Sequence, residues 1–443
     1  MQKVISRIIR SNDGKNVILS LSSKAIAMLL FLITDILVVK LLTFQEYDEW
    51  SFFYSLVTIL YSVAWFGIDT STRVYVARTA EKSEKNSYIF SGVRVRFRIS
   101  IIIFIILIFL AIPLSNWLGY PTRYPNLQFL LFCAPLLVFG NSFIDFIKEL
   151  NVGLVLFRNT FVISILEFGG YLLFGISGIF LLGSIKGLGI GYIFSSAFTL
   201  IIGGYLLLRH LKVNTQKEYM KLDKTKCGEI FKYAIPVFIS SLIGSLLMEM
   251  DIFMLGLLQS PGQTGIYSIA KSLMTKATNI NLAVCTSTMT AFAIITHENY
   301  IQKYKYYKKI LFLNSAFILL ICLSVLIGGS MIINLLYGTE YERSSDILKI
   351  LLFYYAFFAT SIFPSTLLYY QGKAQKILKY YVVMLLCNIV LNYALIPFYG
   401  AIGAAVAVDL SILPYTILML SSGFRIFQDF ALPNKRRVNH RQK

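Results

Sequence analysis

The sequence is poor in charge. Only 14% of its 443 residues are Asp, Glu, Lys or Arg, and no long polar stretch could form a water-soluble domain. Acid is scarcer still, with 22 Asp and Glu against 41 Lys and Arg and a formal net charge of +19. The five cysteines lie mostly in apolar segments without a CxxC pair, which excludes a disulfide framework or a zinc site read from spacing. No GxxxxGKS/T phosphate loop occurs, so ATP hydrolysis by that route is excluded. The first apolar run, about 25 residues long, has no small-residue cleavage site after it and reads as a retained helix.

What the chain has instead is apolar bulk. It is 57% hydrophobic with a mean hydropathy of +0.69, above the roughly 45–50% of soluble domains. A spanning helix needs about 20 mostly apolar residues. Twelve candidate spans meet that need: 17–42, 50–74, 96–118, 127–148, 158–182 and 188–208, then 233–258, 265–295, 310–336, 346–370, 377–397 and 401–424. With a cytoplasmic N-terminus, 33 of the 41 Lys and Arg fall on cytoplasmic segments. The opposite side holds five (Lys40, Arg123, Lys186, Arg343, Lys349), and three (Lys24, Lys271, Lys276) fall inside spans. That asymmetry is the positive-inside pattern of a multi-pass membrane protein with both termini cytoplasmic. It accounts for the basic charge without nucleic acid.

The chain also repeats itself. TDILVVKLL (34–42) and MDIFMLGLL (250–258) align without a gap, placing Asp35 on Asp251 at an offset of 216 residues. Thr70-Ser71-Thr72 falls on Thr286-Ser287-Thr288 at the same offset, and YPTRY (120–124) falls on YGTEY (337–341) at 217. KGLGIG (186–191) resembles YGAIGAA (399–405). Six spans per half is an even number, so the two halves are parallel repeats. Such repeats place substrate at their interface and work by rocking one half against the other. The expected domains are 1–208, a cytoplasmic linker at 209–232, a second bundle at 233–424, and a basic cytoplasmic tail at 425–443.

The stretch from Leu335 to Val408 resembles the Wzx-type polysaccharide repeat-unit (O-antigen) flippases of the multidrug/oligosaccharidyl-lipid/polysaccharide (MOP, MATE-like) exporters. Gly338, Tyr341, Gly372, Asn388, Asn392, Pro397, Gly400 and Gly403 carry the likeness. It implies an all-α integral membrane protein of 12 transmembrane helices, two six-helix bundles around a V-shaped central cavity. It also implies a transporter rather than an enzyme, moving an undecaprenyl-pyrophosphate-linked oligosaccharide from the cytoplasmic to the outer leaflet of the bacterial inner membrane.

Ionisable groups inside lipid are costly and mark pathways or paired sites. Lys24 and Asp35 in span 1 are eleven residues apart and share a helix face. Asp69 and Arg73 in span 2 have the i,i+4 spacing of a helical ion pair. Glu249 and Asp251 lie in span 7, and Lys271, Thr275, Lys276 and Asn279 in span 8, the most polar of the twelve. For an anionic cargo, Lys24, Lys271 and Lys276, with Arg73, are the expected phosphate or acidic-sugar contacts, and Thr275 and Asn279 the glycan contacts. Snorkelling or structural pairing is the competing explanation for the lysines. Asp35, Asp69, Glu249 and Asp251 are the expected gating or ion-coupling groups, with Asp35 and Asp251 gripping Lys271 and Lys40. Asp145, Glu149, Glu167 and Asp409 are weaker candidates, the first two expected near solvent.

No catalytic residue, metal site or cofactor is expected, beyond a coupling H+ or Na+. The expected partners are the lipid-linked oligosaccharide, membrane lipids, a polysaccharide polymerase and a chain-length regulator. Membrane potential and/or ion antiport is the expected driving force. A MATE-type multidrug/cation antiporter and a lipid II-type flippase are the alternatives. A membrane polymerase or ligase is disfavoured by the lack of a long external loop.

Overall fold

A computed structural model describes residues 12–211, 224–289, 292, 294–296 and 298–431. Among them the regular elements are helices only. The chain divides into two compact units, 1–245 and 246–443. Residues 212–223 of the expected 209–232 linker and 432–443 of the expected basic tail lie outside the described residues, and the rest of both segments is helical.

The N-terminal unit holds α1 (Asn12–Leu41), α2 (Phe44–Trp65), α3 (Ile68–Arg78), α4 (Lys82–Trp117), α5 (Leu127–Gly153) and α6 (Phe157–Gly170). A π-helical turn (Tyr171–Gly175) leads into α7 (Ile176–Leu182), followed by α8 (Ile185–Leu211). Helix α9 (Lys224–Leu258) runs past the division at 245/246. The C-terminal unit continues with α10 (Gln263–Met289), α11 (Tyr300–Leu336), α12 (Arg343–Tyr370) and α13 (Ala374–Ala431).

Local chemistry sets these boundaries. At the start of α2, Thr43 and Glu46 form a reciprocal capping box that satisfies two helix-end N–H groups. The straight span expected at 50–74 is broken instead. Phe66 and Gly67 are both left-handed (φ 47° and 69°), and α2 and α3 meet at a 42° bend. A Cβ at Gly67 would lie 2.6 Å from the Ala234 carbonyl oxygen, so both φ and contact require glycine. The spans expected at 377–397 and 401–424 are two helices that meet at a kink at Gly400 (φ 55°, ψ −133°), within the stretch labelled α13.

Among the described residues, eight helices are long and apolar enough to cross a membrane, nine counting the bent α2–α3 pair as one span. Helices α1 and α10, which carry the charged and polar positions singled out above, fall outside that group, and α13 counts once although it covers two expected spans. Helices α4 and α11, at 36 and 37 residues, are each about 54 Å long, well beyond a hydrocarbon core of about 30 Å. The segments expected as loops before spans 3 and 9 are therefore largely the first turns of these helices. Bulky apolar side chains stand outward, among them Phe109 (76% exposed) and Ile327 (86%). Such faces suit lipid, not water.

The repeat is visible in local geometry within each unit. Gly183 and Gly400, 217 residues apart, both have positive φ (64° and 55°). Glu46 Oε1 accepts the N–H of Ile185 (3.3 Å), and Gln263 Oε1 accepts that of Ala401 (3.1 Å). Tyr124 and Tyr341, 217 residues apart, are both buried.

Candidate functional site

In the N-terminal unit the break between α2 and α3 organises the charge. Ending a helix inside an apolar bundle leaves carbonyls without partners. Arg96 on α4 supplies them: its Nη1 donates to the carbonyls of Ala64 (2.9 Å) and Trp65 (3.0 Å). The same nitrogen lies 3.6 Å from Asp69 in the first turn of α3, and both side chains are fully buried. Asp69 is thus paired with Arg96 rather than with Arg73, as the i,i+4 spacing had suggested. Arg73 reaches Glu149 on α5 instead (2.8 Å). The buried break turns Asp69 toward α4, which overrides the helical pairing.

Lys148 on α5 forms a second centre, bridging Asp145 (2.5 Å) and Glu167 on α6 (2.8 Å). The Tyr61 hydroxyl donates to Asp145. Asp145 and Glu149 are therefore ion-paired and half-buried, rather than the solvated helix-end acids expected. A cavity of about 390 Å³ opens beside them, lined by Lys24, Arg73, Lys148, Asp145, Glu149 and Trp65 among others. Three cations and two carboxylates line it, and Glu167, bound to Lys148 behind the wall, is a third acid. Asp35 lies further along α1, half-buried, with Lys40 exposed beyond it.

The C-terminal unit holds its own site. Asp251 on α9 accepts the Tyr267 hydroxyl (2.5 Å) and its ion pair with Lys271. The Lys271 ammonium also donates to the Met248 carbonyl. Asp251 and Lys271 thus meet as a contact of α9 with α10 within this unit, the structural pairing named above as the competing explanation for the lysine. A cavity of about 250 Å³ contains this pair together with Thr275, Asn279 and aromatic residues of α12 and α13. Lys276 is not on its wall; its Nζ donates to Ser272 Oγ one turn back (2.5 Å). Glu249 is half-buried on α9. Asp409 accepts the Tyr354 N–H (3.0 Å).

Two participants escaped the sequence reading. Arg96 and Lys148 both sat in segments counted as cytoplasmic, yet both belong to buried networks. A signal was present for Arg96: Tyr88, Gly92, Arg96 and Ser100 are all buried and four apart, so the arginine lies on the helix face that packs.

The fold matches solved transporters. An inward-facing multidrug resistance MATE family transporter of the MOP superfamily superposes with a TM-score of 0.74 at 13% identity, covering 93% of this chain and 99% of that one. The lipid II flippase MurJ, in an inward closed conformation, superposes with 0.72 at 14% identity, covering 94% and 90%. At such identities the likeness is one of fold. With the long apolar helices, it defines a multi-pass membrane protein with the fold shared by those two proteins.

Residues 14–292 match the polysaccharide biosynthesis protein family, and the chain belongs to it. The capsular polysaccharide biosynthesis protein CapF of Staphylococcus aureus is 29% identical over 187 residues, 42% of this chain and 47% of that protein. A Shigella flexneri protein named for O-antigen transport is 21% identical over 234 residues, 52% and 54% of the two chains. The chain spans about half the length of these relatives.

Proposed function

We propose that the protein flips an undecaprenyl-pyrophosphate-linked oligosaccharide from the cytoplasmic to the outer leaflet of the bacterial inner membrane by alternating access. One observation carries this reading: three helices each bring a cation, Lys24, Arg73 and Lys148, to the lining of the N-terminal cavity. A pyrophosphate brings two or more negative charges, and ammonium and guanidinium groups hold phosphate strongly. Arg73 and Lys148 are pre-positioned by their carboxylate partners, while Lys24 on the lining is exposed. Family membership supports a polysaccharide cargo. Both termini are cytoplasmic in this reading, and a polymerase and chain-length regulator would receive the product.

The driving force follows from the cargo's charge. Two negative charges leaving an inside-negative cell gain about 5 kcal/mol at 100 mV, and H+ or Na+ exchange through the carboxylates could add to it. A cation antiporter would need a cavity acid without a fixed counter-charge; in the C-terminal cavity Asp251 is met by Lys271.

The test is reconstitution in liposomes with undecaprenyl-pyrophosphate-linked glycan, scoring glycan newly exposed to an impermeant lectin. Lys24→Ala should slow flipping at least tenfold, since a charge-assisted hydrogen bond contributes about 1.5–3 kcal/mol. Unchanged flipping in that variant would remove the N-terminal cavity from the path. Indifference to a collapsed potential would refute the driving force.

A further inference from the structure

The C-terminal cavity differs in chemistry from the N-terminal one. Its formal charges, Asp251 and Lys271, cancel within a 2–13%-exposed ion pair. Its aromatic wall is a continuous stack. The Tyr354 and Phe358 rings lie 5.3 Å apart at 12°, Phe358 and Tyr415 6.4 Å apart at 20°, and Tyr415 and Tyr381 5.1 Å apart at 9°. Tyr354 and Tyr415 are buried, whereas Phe358 and Tyr381 are half-buried and offer aromatic surface to the cavity. Opposite chemistry comes from α10, where Thr275 and Asn279, one turn apart, are exposed on the lining. Lys271 commits two of its donors to Asp251 and the Met248 carbonyl; an ammonium has three.

We infer that this cavity is a subsite for a single uncharged pyranose of the transported glycan. The inference rests on the flippase reading and names what that reading leaves open: where a sugar sits and of what class. A pyranose has a face of C–H groups that packs on aromatic rings and an edge of hydroxyls that needs donors and acceptors. Phe358 and Tyr381 supply the first, and Thr275, Asn279 and Lys271 the second. At about 250 Å³ the cavity lies below the roughly 300–1,000 Å³ of sites for drug-sized ligands, which suits one sugar ring. A cationic drug would find its only acid already neutralised. An anion would find no excess positive charge, and an alkyl chain would strand Thr275, Asn279 and the ion pair against hydrocarbon, a cost of the kind burial of unpaired polar groups brings.

The experiment uses full-length protein in lipid nanodiscs and saturation-transfer NMR with methyl glycosides of neutral hexoses, N-acetylhexosamines and a hexuronic acid. Expected is transfer to the ring C–H protons of at least one uncharged glycoside, and at least tenfold weaker binding in Phe358→Ala. Phe358→Leu, which keeps apolar bulk without a π face, guards against a folding defect and should weaken binding as well. Transfer to no uncharged glycoside, the hexuronic acid alone binding, or binding unaltered in both variants would each overturn the subsite. So would displacement of the glycoside by tetraphenylphosphonium at lower concentration than by sugar, which would make it a cation site. Flipping of lipid-linked glycan is measured alongside. Glycoside binding without flipping refutes the flippase reading while leaving the cavity's chemistry standing, and flipping without Phe358-dependent binding refutes the subsite alone.

Discussion

Replacing Arg96 by methionine removes a cation that three groups depend on. The carbonyls of Ala64 and Trp65 lose their donor, and Asp69, fully buried, loses its counter-charge. Breaking a buried ion pair by deleting one partner costs about 3–5 kcal/mol. At roughly 2–4 °C per kcal/mol for a unit of about 200 residues, the apparent Tm should fall on the order of 10 °C. The assay is thermal aggregation in detergent followed by size-exclusion chromatography, on Arg96→Met, Asp69→Asn and the double variant. Because Asp69→Asn removes the stranded charge, the double variant should be more stable than the sum of the single losses predicts, by roughly 1–3 kcal/mol. The unsatisfied carbonyls remain, so recovery is partial. Losses that add to within about 0.5 kcal/mol would refute the claim that Arg96 and Asp69 act as one clamp on the helix break.

Further outcomes follow from the same geometry. Gly187→Ala should destabilise the α7–α8 contact severely, because its Cβ would fall 2.0 Å from the Gly178 carbonyl oxygen; Gly204→Ala, with nothing within 4 Å, should be neutral or stabilising by about 0.5–1 kcal/mol. Both are read as apparent Tm. Asp251→Asn should slow transport by weakening the hold on Lys271, and Asp251→Asn with Lys271→Met should recover stability lost in the single variant, since removing the ammonium leaves no stranded buried charge. Proteoliposome flux and Tm together check this. Glu149→Gln should leave Arg73 as an unpaired cation at the N-terminal cavity and strengthen binding of inorganic pyrophosphate several-fold, measured by calorimetry in nanodiscs; weaker binding would mean that Arg73 needs its partner to be held in place.

Much of this protein is legible in the chain. Apolar runs of spanning length dictate helices, because lipid offers backbone groups no other partners. The 216–217-residue offset announces two related halves, and the structure repeats even the glycine turns at 183 and 400 and the Glu46 and Gln263 caps. The polar character of α10 is likewise plain from Lys271, Thr275 and Asn279, and all three line a cavity.

Tertiary structure alone decided which charges meet. Asp69 and Arg73 are well spaced for each other, but the break at Phe66–Gly67 creates two orphan carbonyls, and only a cation from another helix can reach them and Asp69 together. Arg96 and Lys148 sit where hydropathy places a membrane boundary, so their burial depends on how far α4 and α5 extend and which face each turns inward. Lys276 and Lys271 are five residues apart on one helix, yet only Lys271 lines the cavity. Helical periodicity says which residues share a face. Which face is covered, and by what, is a property of the packed helices.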